Sequence, residues 1–252
     1  METVNDARKP WNPLGLRKVL GRYRAIRAGR DALNELRIGG KRLRQGLDVA
    51  AYMRANPVRC LQIGAGPTSM PGWLRTDLRP ILKGAVYLDA SKRFPIPDAS
   101  FDFIQSEHMI EHIPFVMGVA MIRECHRILK PGGRVRIATP DFARLVGLYG
   151  RENVGVAWRS IESVALNIYK SSECAKPIFA INSAMHEWGH QFLYDEETLR
   201  DALLAAGFVN VQRFHCNESP TERLRGVERH IGVSGDDEVN DFESLVLEAE
   251  RP

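Results

Sequence analysis

Short apolar runs alternate with amphipathic segments along the central part of the chain. The runs VRCLQIG, LRTDL, AVYLD, FDFIQSE and RVRIATPD predict strands, because they are short, apolar and bounded by turn residues. The segment VMGVAMIRECHRIL has apolar residues at helical spacing and precedes Lys130-Pro131-Gly132-Gly133, which ends helices. This alternation predicts an α/β fold: a Rossmann-like, doubly wound, mostly parallel sheet with ligands at the carboxyl ends of its strands.

The pattern continues in the last quarter of the sequence. Asp195 is a good N-cap for a helix over EETLRDALLAAG, with Gly207 placed to end it. FVNVQRFH and ESLVLEAER predict two further strands, and the polar residues 216–243 between them predict a loop.

The first part of the chain is patterned differently. Apolar residues recur at helical spacing between basic ones, at Leu16, Val19, Leu20, Tyr23 and Ile26. Gly39-Gly40 predicts a break, and LDVAAYMRANP then predicts a short helix stopped before Pro57. Residues 1–56 are therefore predicted to form a basic helical arm ahead of a domain over residues 57–252.

Charge separates this arm from the rest. Residues 1–46 hold twelve Lys and Arg and four acidic residues, a net +8, whereas the whole chain carries +4 and the remainder −4. Such an arm suits an anionic membrane surface, and it also raises the question of nucleic acid. Cys60, Cys125, Cys174 and Cys216 form no C-x-x-C pair, and no apolar run is long enough to span a membrane. With no signal-peptide pattern, we expect a cytoplasmic protein that can dock on the inner face of the membrane.

Two histidine patterns raise the possibility of zinc. His186-Glu187-Trp188-Gly189-His190 matches H-E-x-x-H, in which a zinc peptidase uses two histidines and a glutamate base, and His108, Glu111 and His112 match the inverted form. Gly189 disfavours a helix through the first pattern, and Pro114 limits the second to about one turn. We therefore expect no metal site, and we favour Glu111-His112 bonding to local backbone.

Glycine and acidic residues mark successive strand ends. Gly64-Ala65-Gly66-Pro67-Thr68-Ser69 follows the first strand, but Ser69 stands where a dinucleotide fingerprint has its third glycine. Asp77 ends the second strand, where a carboxylate can bind both ribose hydroxyls, and Asp89 ends the third. Each aspartate alone is best explained as a turn residue, but the ordered series predicts a nucleoside-containing ligand.

At these residues the sequence resembles a class I S-adenosylmethionine-dependent methyltransferase of the type 11 kind. The resemblance covers residues 58–141 and, more loosely, 194–252. It is carried by Gly64-Ala65-Gly66, Asp77, the run Phe94-Pro95-Ile96-Pro97-Asp98-Ala99-Ser100-Phe101-Asp102, Glu111-His112 and Leu129–Gly133.

The resemblance implies S-adenosylmethionine as cofactor and a set of residues around it. Gly64, Ala65 and Gly66 would lie against its methionine part, Asp77 with Leu78 at the ribose, and Asp89 with Ala90 at the adenine. Ser106 and Glu107, at the end of the fourth strand, would border the methyl-transfer site.

The sequence also departs from the family. Asp77 follows Gly66 by only eleven positions, and the residues between them include Pro67, Pro71 and Gly72, so the first helix must be truncated or replaced by a loop. The GW-x-x-x-D stretch from Trp73 to Asp77 resembles a compact subgroup associated with surface-polysaccharide or glycan pathways.

Residues 142–193 show no strand pattern, and the resemblance implies a substrate-covering insertion there. Trp158, Tyr169 and Trp188 offer flat faces for a sugar or another planar acceptor. For an acceptor hydroxyl, the general base is expected to be His190, with His186 and His108 as alternatives.

We therefore expect methyl transfer to a small-molecule or glycan hydroxyl, as in surface-polysaccharide or natural-product biosynthesis. The rivals are a zinc metallopeptidase acting through HEWGH, a non-catalytic protein of cofactor-binding fold, and a nucleic-acid methyltransferase. Nucleic acid is not expected, because Ser106-Glu107-His108 stands where base-modifying enzymes commonly carry Asn/Asp-Pro-Pro-aromatic.

Overall fold

A computed structural model describes residues 13–68, 70–80, 82–149, 155–229 and 235–252, with side chains of the first helix described from residue 34 onward. Ser69, the departure from the third glycine, lies outside the described residues. So do residues 1–12 and the side chains of the predicted apolar face from Leu16 to Ile26. The chain divides into two units between Leu43 and Arg44.

A seven-stranded sheet forms the centre of the second unit, with strand order β3-β2-β1-β4-β5-β7-β6. β1 to β5 pair in parallel, and β7 runs antiparallel to both β5 and β6. This confirms the predicted fold class, and all seven predicted strands are present. The strands are β1 (Cys60–Ile63), β2 (Trp73–Asp77), β3 (Val86–Tyr87), β4 (Phe101–Glu107), β5 (Leu129–Pro140), β6 (Val209–Phe214) and β7 (Ser244–Glu250).

Seven α-helices accompany the sheet within the described residues. They are α1 (Pro13–Ala55), α2 (Phe115–Ile128), α3 (Phe142–Gly147), α4 (Val156–Asn167), α5 (Pro177–Asn182), α6 (Glu196–Ala205) and α7 (Asp237–Glu243). The predicted N-cap of α6 is confirmed, because the Asp195 carboxylate accepts from the Thr198 N–H. Gly207 follows this helix with φ +97°, as a helix-ending glycine should.

Three local predictions need correction. Helix α1 runs through Gly39-Gly40 without a break, because two glycines cost only about 1 kcal/mol each and the flanking residues favour helix. Residues 216–243 are not all loop, since Asp236 caps α7 by accepting from the Glu238 and Val239 N–H groups. The segment Lys130–Gly133 does end α2, but it is part of β5, where a register shift accommodates it.

In the described residues between β1 and β2, turns stand in place of the first helix of the fold, in line with the prediction that it is truncated or replaced by a loop. The glycine turn lies beside the end of β2, where the Ala65 N–H donates to the Thr76 carbonyl. No helix in the described part of the chain is long and apolar enough to cross a membrane.

A buried group of ion pairs connects the sheet to residues 215–228. Arg136 on β5 is fully buried between Glu228 and Glu248, at 2.6 Å from a carboxylate oxygen of each. Its guanidinium also donates to the carbonyl oxygens of His215 and Glu218. These bonds hold residues 215–228 against the sheet and so fix the position of the neighbouring Arg229.

The insertion forms its own small core. This core contains Leu145 of α3, Leu148 directly after α3, Ile161 and Val164 of α4, and Ala180 of α5, and it is separate from the main core around the sheet. The segment therefore has a defined helical structure beside the carboxyl ends of the strands.

Candidate active site

One cavity of about 440 Å³ lies at the carboxyl ends of β1, β4 and β5. The glycine turn and the end of β4 form one side, and the insertion forms the other. Its lining includes six predicted site residues, Gly64, Ala65, Gly66, Glu107, His108 and His190. The other predicted site residues, Asp77, Leu78, Asp89, Ala90, Ser106 and His186, are not among the residues that line it.

The glycine turn needs glycine at both positions, for different reasons. Gly64 and Gly66 have φ of +71° and +50°, which other residues rarely adopt. A Cβ on Gly64 would lie 2.3 Å from Cγ of Met109, so the Met109 side chain fills that space. A Cβ on Gly66 would meet nothing within 4 Å, so at Gly66 the backbone itself faces open space.

Asp77 lies next to this turn and bonds to it. Its Oδ2 accepts from the Gly66 N–H at 2.9 Å, and its Oδ1 accepts from the Arg79 N–H at 2.7 Å. Leu78 is 52% exposed. The Asp77 carboxylate thus stabilises the turn, with lone pairs remaining on both oxygens for further donors.

Asp89 occupies a comparable turn after β3. Its Oδ1 accepts from the Ser91 N–H and hydroxyl, and Lys92 lies 3.0 Å from Oδ2. Partial burial by itself would raise the pKa of Asp89, but the bonds from Ser91 and Lys92 outweigh it and lower the pKa. Ala90 packs against the main core.

The two residues at the end of β4 have different surroundings. Ser106 is buried, and its hydroxyl has no hydrogen-bond partner among the described residues. Both carboxylate oxygens of Glu107 accept from the Arg229 N–H, at 2.8 and 2.9 Å. The cavity wall at Glu107 is therefore held by the segment that Arg136 anchors.

His108, at the cavity wall, forms an ion pair with the buried Glu111. His108 Nδ1 lies 3.3 Å from Glu111 Oε1, and His108 Nε2 lies 3.3 Å from Ser244 Oγ. Burial alone would lower the pKa of His108, but the hydrogen bond and charge of Glu111 raise it. Burial alone would raise the pKa of Glu111, and His108 lowers it. A backbone hydrogen bond at Glu111 also lowers its pKa, and the Thr139 hydroxyl donates to Oε2.

His190 projects from the insertion toward the residues after β4. Its Nδ1 donates to the Ala184 carbonyl, so Nε2 is the nitrogen with a lone pair available. Burial lowers the pKa of His190, which favours the neutral ring. The His190 ring meets the His112 ring edge to face, with centroids 4.8 Å apart.

The H-E-x-x-H letters do not form a peptidase helix. His186 is exposed in a π-turn over Ser183–Glu187, Trp188 ends that turn, and Gly189 has φ +74°. Because the backbone leaves the helical conformation before His190, the two histidines do not have the i, i+4 geometry of a zinc peptidase.

The three predicted aromatic faces separate in the structure. Trp188 lines the cavity, whereas Trp158 and Tyr169 do not. Tyr169 packs edge to face on Phe179, with ring centroids 5.0 Å apart. Trp188 is thus the aromatic residue of the three that faces the cavity.

Several cavity residues were not found from sequence. Gln62 Oε1 and Ser183 Oγ are buried without a hydrogen-bond partner among the described residues. Glu243 also lines the cavity and accepts from the Ser160 hydroxyl at 2.5 Å, and burial raises its pKa. No sequence pattern marks these residues, because each reaches the cavity only through the packing of distant segments.

Comparison with known proteins identifies a family. Residues 37–213 match the family model described as a methyltransferase domain. None of the curated proteins matches the sequence.

Solved structures show distant similarity. A SAM-dependent methyltransferase from Archaeoglobus fulgidus has 17% identity and a TM-score of 0.45, with 86% of this chain and 94% of that chain covered. An S-adenosylmethionine-dependent methyltransferase from Mesorhizobium loti has 18% identity and a TM-score of 0.43, with 79% and 95% covered. The CurJ carbon methyltransferase has 14% identity and a TM-score of 0.41 over 78% of this chain, which spans 49% of that longer chain.

Proposed function

The chain belongs to the family of methyltransferase domains that use S-adenosylmethionine, and on that premise we propose that it methylates a hydroxyl of a small-molecule or glycan acceptor. The observation that carries this proposal is that the Gly64–Gly66 turn and His190 of the insertion line the same cavity. A cofactor at the turn and an acceptor under the insertion would meet inside it. Products of this kind belong to surface-polysaccharide or natural-product biosynthesis.

The residues present fit the methionine part of the cofactor. Gly66 presents backbone to open space, so a ligand can approach closely. Gln62 Oε1 is a buried acceptor at the cavity without a partner among the described residues, and it suits an ammonium group. We propose that Asp77 with Leu78 and Asp89 with Ala90 contact the ribose and adenine, and that Ser106 and Glu107 border the methyl-transfer site.

When bound, the cofactor supplies a methyl group on an already activated sulfonium. The protein must then align the acceptor and accept its proton. His190 Nε2 would take the proton of the acceptor hydroxyl, so that the acceptor oxygen could receive the methyl group that the cofactor would supply. Trp188 would stack on the acceptor.

Among the three histidines, His190 is favoured by its surroundings. His108 is already paired with Glu111, which raises the pKa of His108. His108 therefore holds its proton more firmly. His186 is exposed and does not line the cavity. His186 and His108 remain the alternatives that the experiment must compare.

The basic arm suggests a second contact. Residues 1–46 carry +8, and on the described part of α1 Leu36, Leu43 and Leu47 are 73%, 89% and 70% exposed. Basic and exposed apolar residues together suit an anionic membrane surface, which would keep the enzyme near a lipid-linked acceptor. Nucleic acid is not part of this proposal.

The test is a methyl-transfer assay against a panel of hydroxylated glycans and small molecules. His190→Ala and His190→Gln should lower turnover about a hundredfold or more, with cofactor affinity unchanged in calorimetry. His186→Ala and His108→Gln serve as comparisons. Near-normal turnover in both His190 variants would exclude His190 as the general base. Absence of any heat of binding with S-adenosylmethionine would exclude the whole proposal.

A further inference from the structure

Three side chains that can bind a metal converge at the wall of the cavity. One ligand atom each of Glu111, His112 and His190 lies within 4.8 Å of the others. His112 and His190 line the cavity, and Glu111 is fully buried behind them. His186 is not part of this group, so the cluster differs from the H-E-x-x-H pattern.

Backbone bonds hold the two halves of this cluster together. The Gln191 and Phe192 N–H groups donate to the Glu111 carbonyl, at 2.7 and 3.2 Å. The Gln191 side chain donates to the His112 carbonyl at 2.8 Å. The loop that carries His190 is therefore fixed in register against the turn that carries Glu111 and His112.

Two of the three ligands, His190 and Glu111, are also oriented by a neighbour. The bond from His190 Nδ1 to the Ala184 carbonyl leaves Nε2 for a metal, as in most histidine-ligated sites. The Thr139 hydroxyl donates to Glu111 Oε2 at 2.9 Å, and Glu111 Oε1 lies 3.3 Å from His108 Nδ1. Ligand atoms around zinc lie about 3.3 Å apart, so binding needs a closure of up to about 1.5 Å, within reach of a turn of the half-buried His112 ring.

We propose that Glu111, His112 and His190 form a binding site for a divalent transition-metal cation. Two imidazoles and one carboxylate suit ions such as Zn²⁺, Fe²⁺ or Mn²⁺, and three protein ligands leave positions open for an outside oxygen. Those positions face the cavity, because two of the three ligands line it. The site therefore takes an oxygen-bearing ligand at the cation.

The role of the cation, but not its binding, rests on the proposed function. A hydroxyl bound to such a cation releases its proton to solvent far more readily, because the positive charge stabilises the alkoxide. His190 then promotes loss of the acceptor proton through the cation rather than by taking the proton itself. The one lone pair on His190 Nε2 cannot bind the cation and accept the proton of the acceptor at the same time.

The experiment titrates the purified full-length protein, stripped with a chelator, with Co²⁺ and with Zn²⁺. We expect one equivalent to bind in calorimetry, with visible Co²⁺ absorption bands. His112→Ala and His190→Ala should weaken binding at least about tenfold. His186→Ala is the matched control, a histidine of the same insertion outside the cluster, and it should bind as the parent does. Circular dichroism on each variant confirms that it is folded.

Two results would overturn the inference. One is no stoichiometric binding by the parent protein, and the other is equal binding by His112→Ala and the parent. Failure of the proposed function is seen separately, as absence of cofactor heat in calorimetry. If the cofactor binds and turnover depends on His190 while no cation binds, the imidazole is the base and only the cation site is wrong.

Discussion

The rings of His112 and His190 meet edge to face, with their planes at 68° and centroids 4.8 Å apart. His112 belongs to the turn after β4, and His190 belongs to the far end of the insertion. Their contact joins the two walls of the cavity, and the bonds from Gln191 to the Glu111 and His112 carbonyls maintain it. The chemistry proposed for this protein depends on that contact.

Replacement of Gly66 should weaken cofactor binding. In Gly66→Ala the new methyl group enters the open space of the cavity, and the positive φ adds about 1 kcal/mol of strain. Gly132→Ala is the matched control, because Gly132 has φ +76° and open space around it but lies on β5 away from the cavity. Calorimetry with S-adenosylmethionine should show at least tenfold weaker binding for Gly66→Ala alone. Equal affinity in both variants would remove Gly66 from the cofactor site.

A substitution at Gly64 is a less specific test of cofactor binding, because its Cβ would displace the Met109 side chain.

Asp89→Asn should weaken cofactor binding if the carboxylate contacts the adenine. Loss of a charge-assisted hydrogen bond costs about 1.5–3 kcal/mol. Ser91→Ala is the control, because it removes the hydroxyl that bonds Asp89 but keeps the carboxylate. We expect a tenfold or greater loss of affinity for Asp89→Asn and little change for Ser91→Ala. If both variants lose stability but keep the parent's affinity for the cofactor, Asp89 stabilises the turn after β3 and does not bind the cofactor.

Arg136→Met should destabilise the fold strongly. The change leaves Glu228 and Glu248 buried without their cation, which typically costs about 3–5 kcal/mol. Arg134→Met, on the same strand, removes a pair with Glu250 whose side chains are 32% and 27% exposed, and it should cost about 1 kcal/mol or less. Urea unfolding measures both. Similar losses in the two variants would contradict the role given to the buried group.

Removal of residues 1–43 should abolish binding to anionic vesicles. The parent protein is expected to sediment with phosphatidylserine-containing vesicles and not with phosphatidylcholine alone, and added salt should weaken the interaction. The full-length variant Arg37→Gln/Lys41→Gln/Arg42→Gln should show partial loss, at about 1 kcal/mol per basic residue. Undiminished sedimentation of the truncated protein would exclude the arm as the docking element.

Local patterns in the sequence determined the secondary structure and its order. The strands, α2 and α6 were predictable because each depends on residues within a few positions, such as the bond from the Thr198 N–H to Asp195. The short connection from Gly66 to Asp77 likewise predicted that the first helix of the fold is truncated or replaced by a loop. The break at Gly39-Gly40 was wrong, because two glycines are too small a penalty against a long helical segment.

Only the tertiary structure decided which side chains meet. The letters H-E-x-x-H predict a pair of ligands, but the turn that ends at Glu187 leaves His186 exposed, and packing brings His190 to His112 and Glu111 instead. Glu243 reaches the cavity from α7 and Gln62 from β1, which are far apart in the chain. The sequence by itself determined the elements and the strand-end residues through short-range hydrogen bonds and apolar spacing. The composition of the cavity depended on how the insertion packs, which no short-range pattern encodes.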